Sequence, residues 1–270
     1  MSAVAANAAS SRPFGPRLVR SEILKLATRR GLMVASFLLT VGATVATFAI
    51  LAVLHATDPA HHKLIGGLGH FDDGMYSLTQ LATVAAVLIG ATAGAGDLGG
   101  GFFRNLVLTG RPRRSLFAAR IPGGLTVLLP ISAFAYAILA GLSQLVPGPA
   151  GVPSTGLMVE SGLWLELYVT AMFLLALGLA SLLGSRATTL GILAGVQLLV
   201  TPLVQGLHNP GVGADAVLGI ALWKVAPKEL LSGAPQGHVP MSLAAAVTVI
   251  LVWTALALGV GAWRTIKRDA

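Results

Sequence analysis

Glu166 is an ionisable residue inside a long apolar run, Glu160–Gly184. It comes six residues after Glu160, which corresponds to about 9 Å along a helix. Placing a charged carboxylate in the middle of a membrane costs about 2.5–3.5 kcal/mol on insertion scales, so such residues are candidates for a proton or ion pathway. The alternative is a carboxylate close enough to the boundary to reach water. The sequence therefore makes Glu166 a candidate proton carrier.

The histidines are the other residues with chemical potential, and all of them fall in segments between apolar runs. They are His55, His61, His62, His70, His208 and His238. Together with the aspartates of the first such segment (Asp58, Asp72 and Asp73) they could bind zinc or copper. Their spacing matches no helix-borne metal motif, so we expect solvated histidines and no metal site. The chain has no cysteine, and no nucleophile–base pair suggests an enzyme.

Small and hydroxyl-bearing residues recur within the apolar runs. Ser36, Thr40, Thr44 and Thr47 share one helical face, and Gln197 lies in the middle of another run. Small residues four apart occur at Gly90 and Gly94, at Ala176, Ala180 and Gly184, and at Gly191 and Gly195. Such residues permit close helix packing and hydrogen bonds between helices. They indicate either ordinary packing or a substrate pathway or dimer interface formed by the first and fifth runs.

The amino-acid composition indicates whether these residues belong to a soluble protein or to a membrane protein. The chain is 55% hydrophobic and only 10% charged, with mean hydropathy +0.81. A soluble domain has roughly 25% charged residues, so the composition predicts a membrane protein. The net charge of +8 does not indicate nucleic-acid binding, because the basic residues lie at the ends of apolar runs and form no separate domain.

Six apolar runs are long enough to cross a ~30 Å hydrocarbon layer as helices. They are Leu32–Leu54, Tyr76–Ala95, Ile121–Val146, Glu160–Gly184, Ala187–Leu207 and Met241–Trp263. The predicted organisation is a tail over 1–16, an interfacial helix over 17–30, one transmembrane domain over 31–264 and a tail over 265–270. The domain includes a cytoplasmic segment, 96–120, and an outer segment, 208–240, in which short helices are expected. The fold class is an all-α polytopic membrane protein.

Orientation follows from the basic residues. If both termini are cytoplasmic, only Lys63, Lys224 and Lys228 of the 18 lysine and arginine residues lie outside. This agrees with the positive-inside rule. In the segment 17–30, Val19, Ile23, Leu26 and Ala27 form an imperfect apolar stripe that would face the membrane.

A cytoplasmic motif follows the second run. It has Asp97, three glycines at 99–101, an aromatic-Arg-Leu stretch from Phe102, and a Pro-Arg-Arg sequence at 112–114 before Arg120. With the Arg20-Ser21-Glu22 and Lys25 of the preceding helix and the six runs, this layout resembles the permease subunit of type-2 ABC exporters. The resemblance covers nearly the whole chain in layout, and its motif is confined to about Asp97–Arg120.

The resemblance implies a function. A separate ATPase subunit, present in two copies and carrying the ATP and magnesium, would dock on the short cytoplasmic helix and on the N-terminal helix. The coupling residues would be Phe102, Phe103, Arg104, Leu106, Glu22 and Lys25. A second permease copy would complete the exporter as a homodimer or heterodimer in the plasma membrane, and the substrate would be amphiphilic or hydrophobic. The chain itself has no phosphate-binding loop, because no lysine follows a glycine.

Two alternatives remain open on the sequence alone. One is a proton-coupled secondary transporter that uses Glu166, although no internal repeat of the kind common in such folds is detected. The other is a membrane-embedded enzyme or anchor, for which only the outer histidines offer reactive groups.

Overall fold

The computed structural model describes residues 15–59, 66–99, 112–145, 148, 151–200, 217–230 and 241–267, and these residues form an all-helical bundle. Within the described ranges, extended pairing is limited to a single bridge between Gly148 and Gly151. Five helices are long and apolar enough to cross a membrane. The architecture is that of a multi-pass membrane protein.

The helices are named here in chain order. They are α1 (Pro16–Ala27), α2 (Arg30–Thr57), α3 (Gly67–Gly99), α4 (Arg113–Leu145), α5 (Thr155–Leu183), α6 (Arg186–Gly195), α7 (Leu218–Lys224) and α8 (Leu243–Lys267). A π turn, Leu38–Gly42, interrupts α2, and α6 continues as a second π turn, Val196–Val200. The candidate spans are α2, α3, α4, α5 and α8.

Five of the six predicted runs therefore form helices of spanning length. Most of these helices extend past the apolar run that predicted them, because charged and small polar residues continue the helix at its ends. The remaining run, Ala187–Leu207, coincides with α6 and its π turn, which are described only as far as Val200. A sixth crossing stays a prediction.

The helix α5 is the centre of the bundle and packs on α3, α4 and α8. Its contact with α3 is close because glycine meets alanine: a Cβ built on Gly94 would lie 2.5 Å from the Leu177 carbonyl oxygen and 2.8 Å from the Ala180 Cβ. Gly178 and Gly261 bring α5 and α8 together in the same way. Two of the predicted small-residue stripes thus face each other inside one chain.

The third stripe is different, because a Cβ added at Gly191 or Gly195 of α6 would meet no atom within 4 Å. The turn before α6 is tight. Gly184 ends α5 with φ of 72°, a conformation that L side chains rarely adopt, and the Ser185 hydroxyl caps α6 by accepting from the Thr188 N–H. α5 and α6 therefore meet at one end of the bundle.

That end, called here the arginine-rich end, gathers the start of α2, the end of α3, the start of α4 and the end of α8. Arg113 of α4 donates to the Ile266 carbonyl of α8 at 3.0 Å. The Arg29 guanidinium lies beside Gly96 of α3. At the opposite end, the Leu68 N–H donates to the Gly151 carbonyl, and the Trp164 indole donates to the Leu222 carbonyl of α7.

The predicted membrane-facing stripe of α1 is partly covered by the rest of the chain. Leu26 is buried together with Leu18 and Glu22, whereas Val19 and Ile23 are half-buried and Ala27 is exposed. The reason is that α1 packs on the first turns of α4, where Leu18 meets Leu116 and Ala119. The predicted apolar stripe did not include Glu22, although this side chain packs against Gly123 of α4.

Candidate functional sites

Glu166 lies on the face of α5 that meets α4, and it is partly buried there. Ser132 of α4 brings its Oγ to 2.9 Å from Glu166 Oε1 and 3.0 Å from Oε2. Pro130, two residues earlier, has no N–H to donate inside the helix. A carboxylate with one hydroxyl partner within a candidate span can take up and release a proton if water reaches it. Nothing in the sequence pattern indicated Ser132 as the partner of Glu166.

Gln197 is buried in the π turn that follows α6, where it joins three helices. Its Nε2 donates to the Tyr168 hydroxyl of α5 at 2.8 Å and to Gln80 Oε1 of α3 at 3.1 Å. Gln197 was predicted as a polar residue within a span, and it does form a link between helices. Tyr168 was missed, because a tyrosine in an apolar run carries no distinguishing signal.

Aromatic rings surround this polar link on the side of α7. Trp223 lies 4.7 Å from Trp164 and 5.6 Å from Tyr76 between ring centroids, and Tyr168 is 6.2 Å from Trp223. The expected short helix in the outer segment is α7, and it is buried: its residues from Leu218 to Trp223 face the bundle. The contacts of Trp223 anchor α7 against α3 and α5. Two buried donors in this cluster, the Gln80 Nε2 and the Trp223 Nε1, form no hydrogen bond of standard geometry with any of the described residues.

The hydroxyl stripe of α2 lies mostly inside the chain. Ser36, Thr40 and Thr44 are buried, and Thr47 is exposed. Thr40 and Thr44 each donate to the carbonyl four residues earlier, at 2.8 Å and 2.9 Å. This placement does not support a dimer interface at the three buried residues. Of the four residues in this stripe, only Thr47 is exposed enough to contact a second copy of the chain.

The predicted coupling residues of α1 have different positions. Glu22 is 5% exposed, and its Cβ would be 2.6 Å from a Cβ built on Gly123 of α4. Lys25 is half-buried and pairs with Glu22 at 2.7 Å. Direct contact of Glu22 with a docked partner does not fit this burial. The residues that α1 exposes are Pro16, Arg17, Arg20, Ser21, Leu24 and Ala27.

Arg120 is a buried cation that the sequence assigned only to the cytoplasmic motif. It is 1% exposed, and its Nη1 donates to the Gly94 carbonyl of α3 at 3.1 Å. The Ser181 hydroxyl of α5 reaches the same carbonyl at 3.3 Å. A cation near the C-terminal end of a helix is favoured by the helix dipole. Arg120 thereby ties α4 to the end of α3, and Ser181 ties α5 to the same carbonyl.

The remaining candidates lie outside the described residues or form no cluster. Phe102, Phe103, Arg104 and Leu106 are outside the described ranges, as are His61, His62, His208 and His238. Within those ranges, no group of three or more histidine, aspartate or glutamate side chains could hold a metal ion. His70 instead engages the Gly66 carbonyl through Nδ1 at 3.1 Å.

These observations describe a helical membrane bundle with a buried polar link, a paired carboxylate and an end rich in arginine. No protein-family model matches the chain, and no curated protein matches it either.

Proposed function

We propose that this chain is the membrane-spanning subunit of an ATP-driven exporter, with a separate ATPase docked at its arginine-rich end. That end would face the cytoplasm, since the positive-inside rule assigns it there. The chain would cross the plasma membrane six times and pair with a second permease copy. The substrate class is an amphiphilic or hydrophobic molecule.

The observation that carries the proposal is the close packing of α1 on α4. A docking helix can transmit movement only if it is fixed to a span, and Glu22 packs against Gly123 with too little room for an added methyl group. Leu18 and Leu116 extend the contact. A push on the exposed face of α1 would therefore move the start of α4.

The buried arginine extends this path. Arg120 lies one turn before Gly123 and is hydrogen-bonded to the end of α3, directly before the predicted coupling segment. Movement of that segment would thus reach α3, α4 and α5 together. ATP binding and hydrolysis on the partner would change the packing of the three helices and open the bundle on its other side.

Co-purification tests the proposal. The tagged chain is extracted in mild detergent from its native host, and a stoichiometric ATPase is expected to accompany it. Arg104→Glu and Phe103→Asp should weaken that association, whereas Lys228→Glu, at an exposed lysine at the opposite end of the bundle, should not. A stable chain without any ATPase, or equal association in all variants, would refute the proposal.

A second candidate function is a proton-coupled secondary transporter, and the pairing of Glu166 with Ser132 favours it. In this case transport depends on the proton gradient and needs no ATPase. Glu166→Gln would abolish transport but leave the protein folded, because a glutamine side chain still accepts the Ser132 hydrogen bond. Full transport by Glu166→Gln would exclude this candidate.

A further inference from the structure

A groove of about 520 Å³ lies at the end of the bundle opposite the arginine-rich end. One wall is the first half of α5, and the other is the segment from Val225 to Glu229 that follows α7. The groove is distinct from the Gln197 link, although Trp164 borders both. Neither the sequence motifs nor the proposed function uses it.

The wall formed by α5 changes in character along its length. Glu160, Leu163, Trp164 and Leu167 lie on one helical face, because they follow the spacing i, i+3, i+4, i+7. Leu163 is 68% exposed and Leu167 is 43% exposed. From Glu160 to Leu167 the groove covers about 10 Å along the helix axis. The groove therefore has a charged rim and an apolar floor. Its length is similar to the depth of a lipid headgroup together with its glycerol region.

The rim of the groove carries charges of both signs. Lys228 supplies an ammonium group, and Glu160 and Glu229 supply carboxylates. All three residues are exposed, and no salt bridge joins them to one another in the described part of the chain. These charged groups are therefore available to a ligand. The tryptophan beside them is typical of the membrane–water interface.

We propose that this groove binds a zwitterionic phospholipid from the surrounding bilayer. The lipid phosphate is held by Lys228, and its cationic group is held by Glu160 and Glu229. The glycerol region and the start of one acyl chain lie along Leu163 and Leu167. Anionic lipids fit less well, because their headgroups bring no cation to two carboxylates. The site does not depend on whether the chain works with an ATPase.

Native mass spectrometry of the full-length protein in mild detergent tests this site. The protein is titrated with phosphatidylcholine, phosphatidylglycerol and diacylglycerol of identical acyl chains. Phosphatidylcholine should remain bound most often and diacylglycerol least. Lys228→Gln should weaken phosphatidylcholine binding roughly two- to fivefold, the scale of one partly exposed ion pair. Lys224→Gln removes the same charge four residues away, outside the groove lining, and should have no such effect.

A second variant tests the carboxylates. Glu160→Gln combined with Glu229→Gln should reduce the preference for phosphatidylcholine over phosphatidylglycerol, because it removes the partners of the cationic group. Equal retention of all three lipids by the unaltered protein would reduce the groove to ordinary contact with bilayer lipid and overturn the proposal. Unchanged binding in Lys228→Gln would overturn it too. Displacement by soluble glycerophosphocholine at equal concentration would show a headgroup site for a water-soluble ligand and contradict the lipid assignment.

Discussion

Replacing Gly94 with alanine should force α3 and α5 apart. The new methyl group would lie 2.5 Å from the Leu177 carbonyl oxygen, whereas ordinary van der Waals contact begins at 3.4 Å. The helices would have to separate locally by roughly 0.9 Å, and a gap of 0.5–1 Å forfeits about a quarter to a half of the dispersion energy of each contact. Overpacking of this kind costs about 1–3 kcal/mol.

Helix propensity acts in the opposite direction, because alanine is favoured over glycine inside a helix by about 0.5–1 kcal/mol. A matched control variant allows the helix-propensity gain to be subtracted. Gly191 of α6 is also helical, and a Cβ there would meet nothing within 4 Å. Gly191→Ala should therefore keep the propensity gain without the steric cost. The difference in stability between the two variants measures the α3–α5 contact alone and should be about 1–3 kcal/mol.

The assay is thermal unfolding of both purified variants in the same detergent. Gly94→Ala should melt roughly 2–12 °C below Gly191→Ala. The effect should be larger than steric repulsion at one atom suggests, because the Gly94 carbonyl also accepts from Arg120 and Ser181. If Gly94→Ala melts at or above Gly191→Ala, the close approach of α3 and α5 is refuted.

Three further substitutions test other parts of the bundle by the same unfolding measurement. Tyr168→Phe should cost about 0.6–2 kcal/mol, because Gln197 loses one acceptor inside the helix bundle; no loss would mean that the link does not stabilise the fold. Arg120→Ala should cost about 1.5–3 kcal/mol, whereas exposed Arg114→Ala should stay within about 0.5 kcal/mol. Gly184→Ala should cost about 1–2 kcal/mol through its positive φ; an unchanged stability would contradict the left-handed turn.

The sequence predicted the helices better than their faces. Mean hydropathy over about 20 residues shows whether a segment is apolar enough to lie outside water. The long apolar runs could therefore be recognised from the sequence. It does not report which side of a helix meets another helix rather than lipid, because both surroundings are apolar. For this reason the hydroxyl stripe of α2 was interpreted as a possible dimer interface, although Thr40 and Thr44 are buried inside one chain.

The candidate sites were predictable only where a residue was chemically out of place. Glu166 and Gln197 were singled out because polar groups are rare within apolar runs. Their partners, Ser132 and Tyr168, come from helices distant in sequence and are common residue types there. The burial of Glu22 was not predicted for a similar reason, because it depends on the space left by Gly123, about one hundred residues away.

The π turn of α2 also bears on how this span could tolerate a change in length. Leu32, Ser36, Thr40, Thr44 and Phe48 are buried at every fourth position, whereas a regular α-helix repeats every 3.6 residues and would drift by about 40° at each step. The wide turn at 38–42 absorbs an additional residue and holds the later residues on the inner face. Deleting one residue within that turn would let it close as ordinary α-helix with the buried face kept. A deletion beyond the turn, between Thr44 and Phe48, would rotate Phe48 by about 100° and move its buried side chain off the inner face.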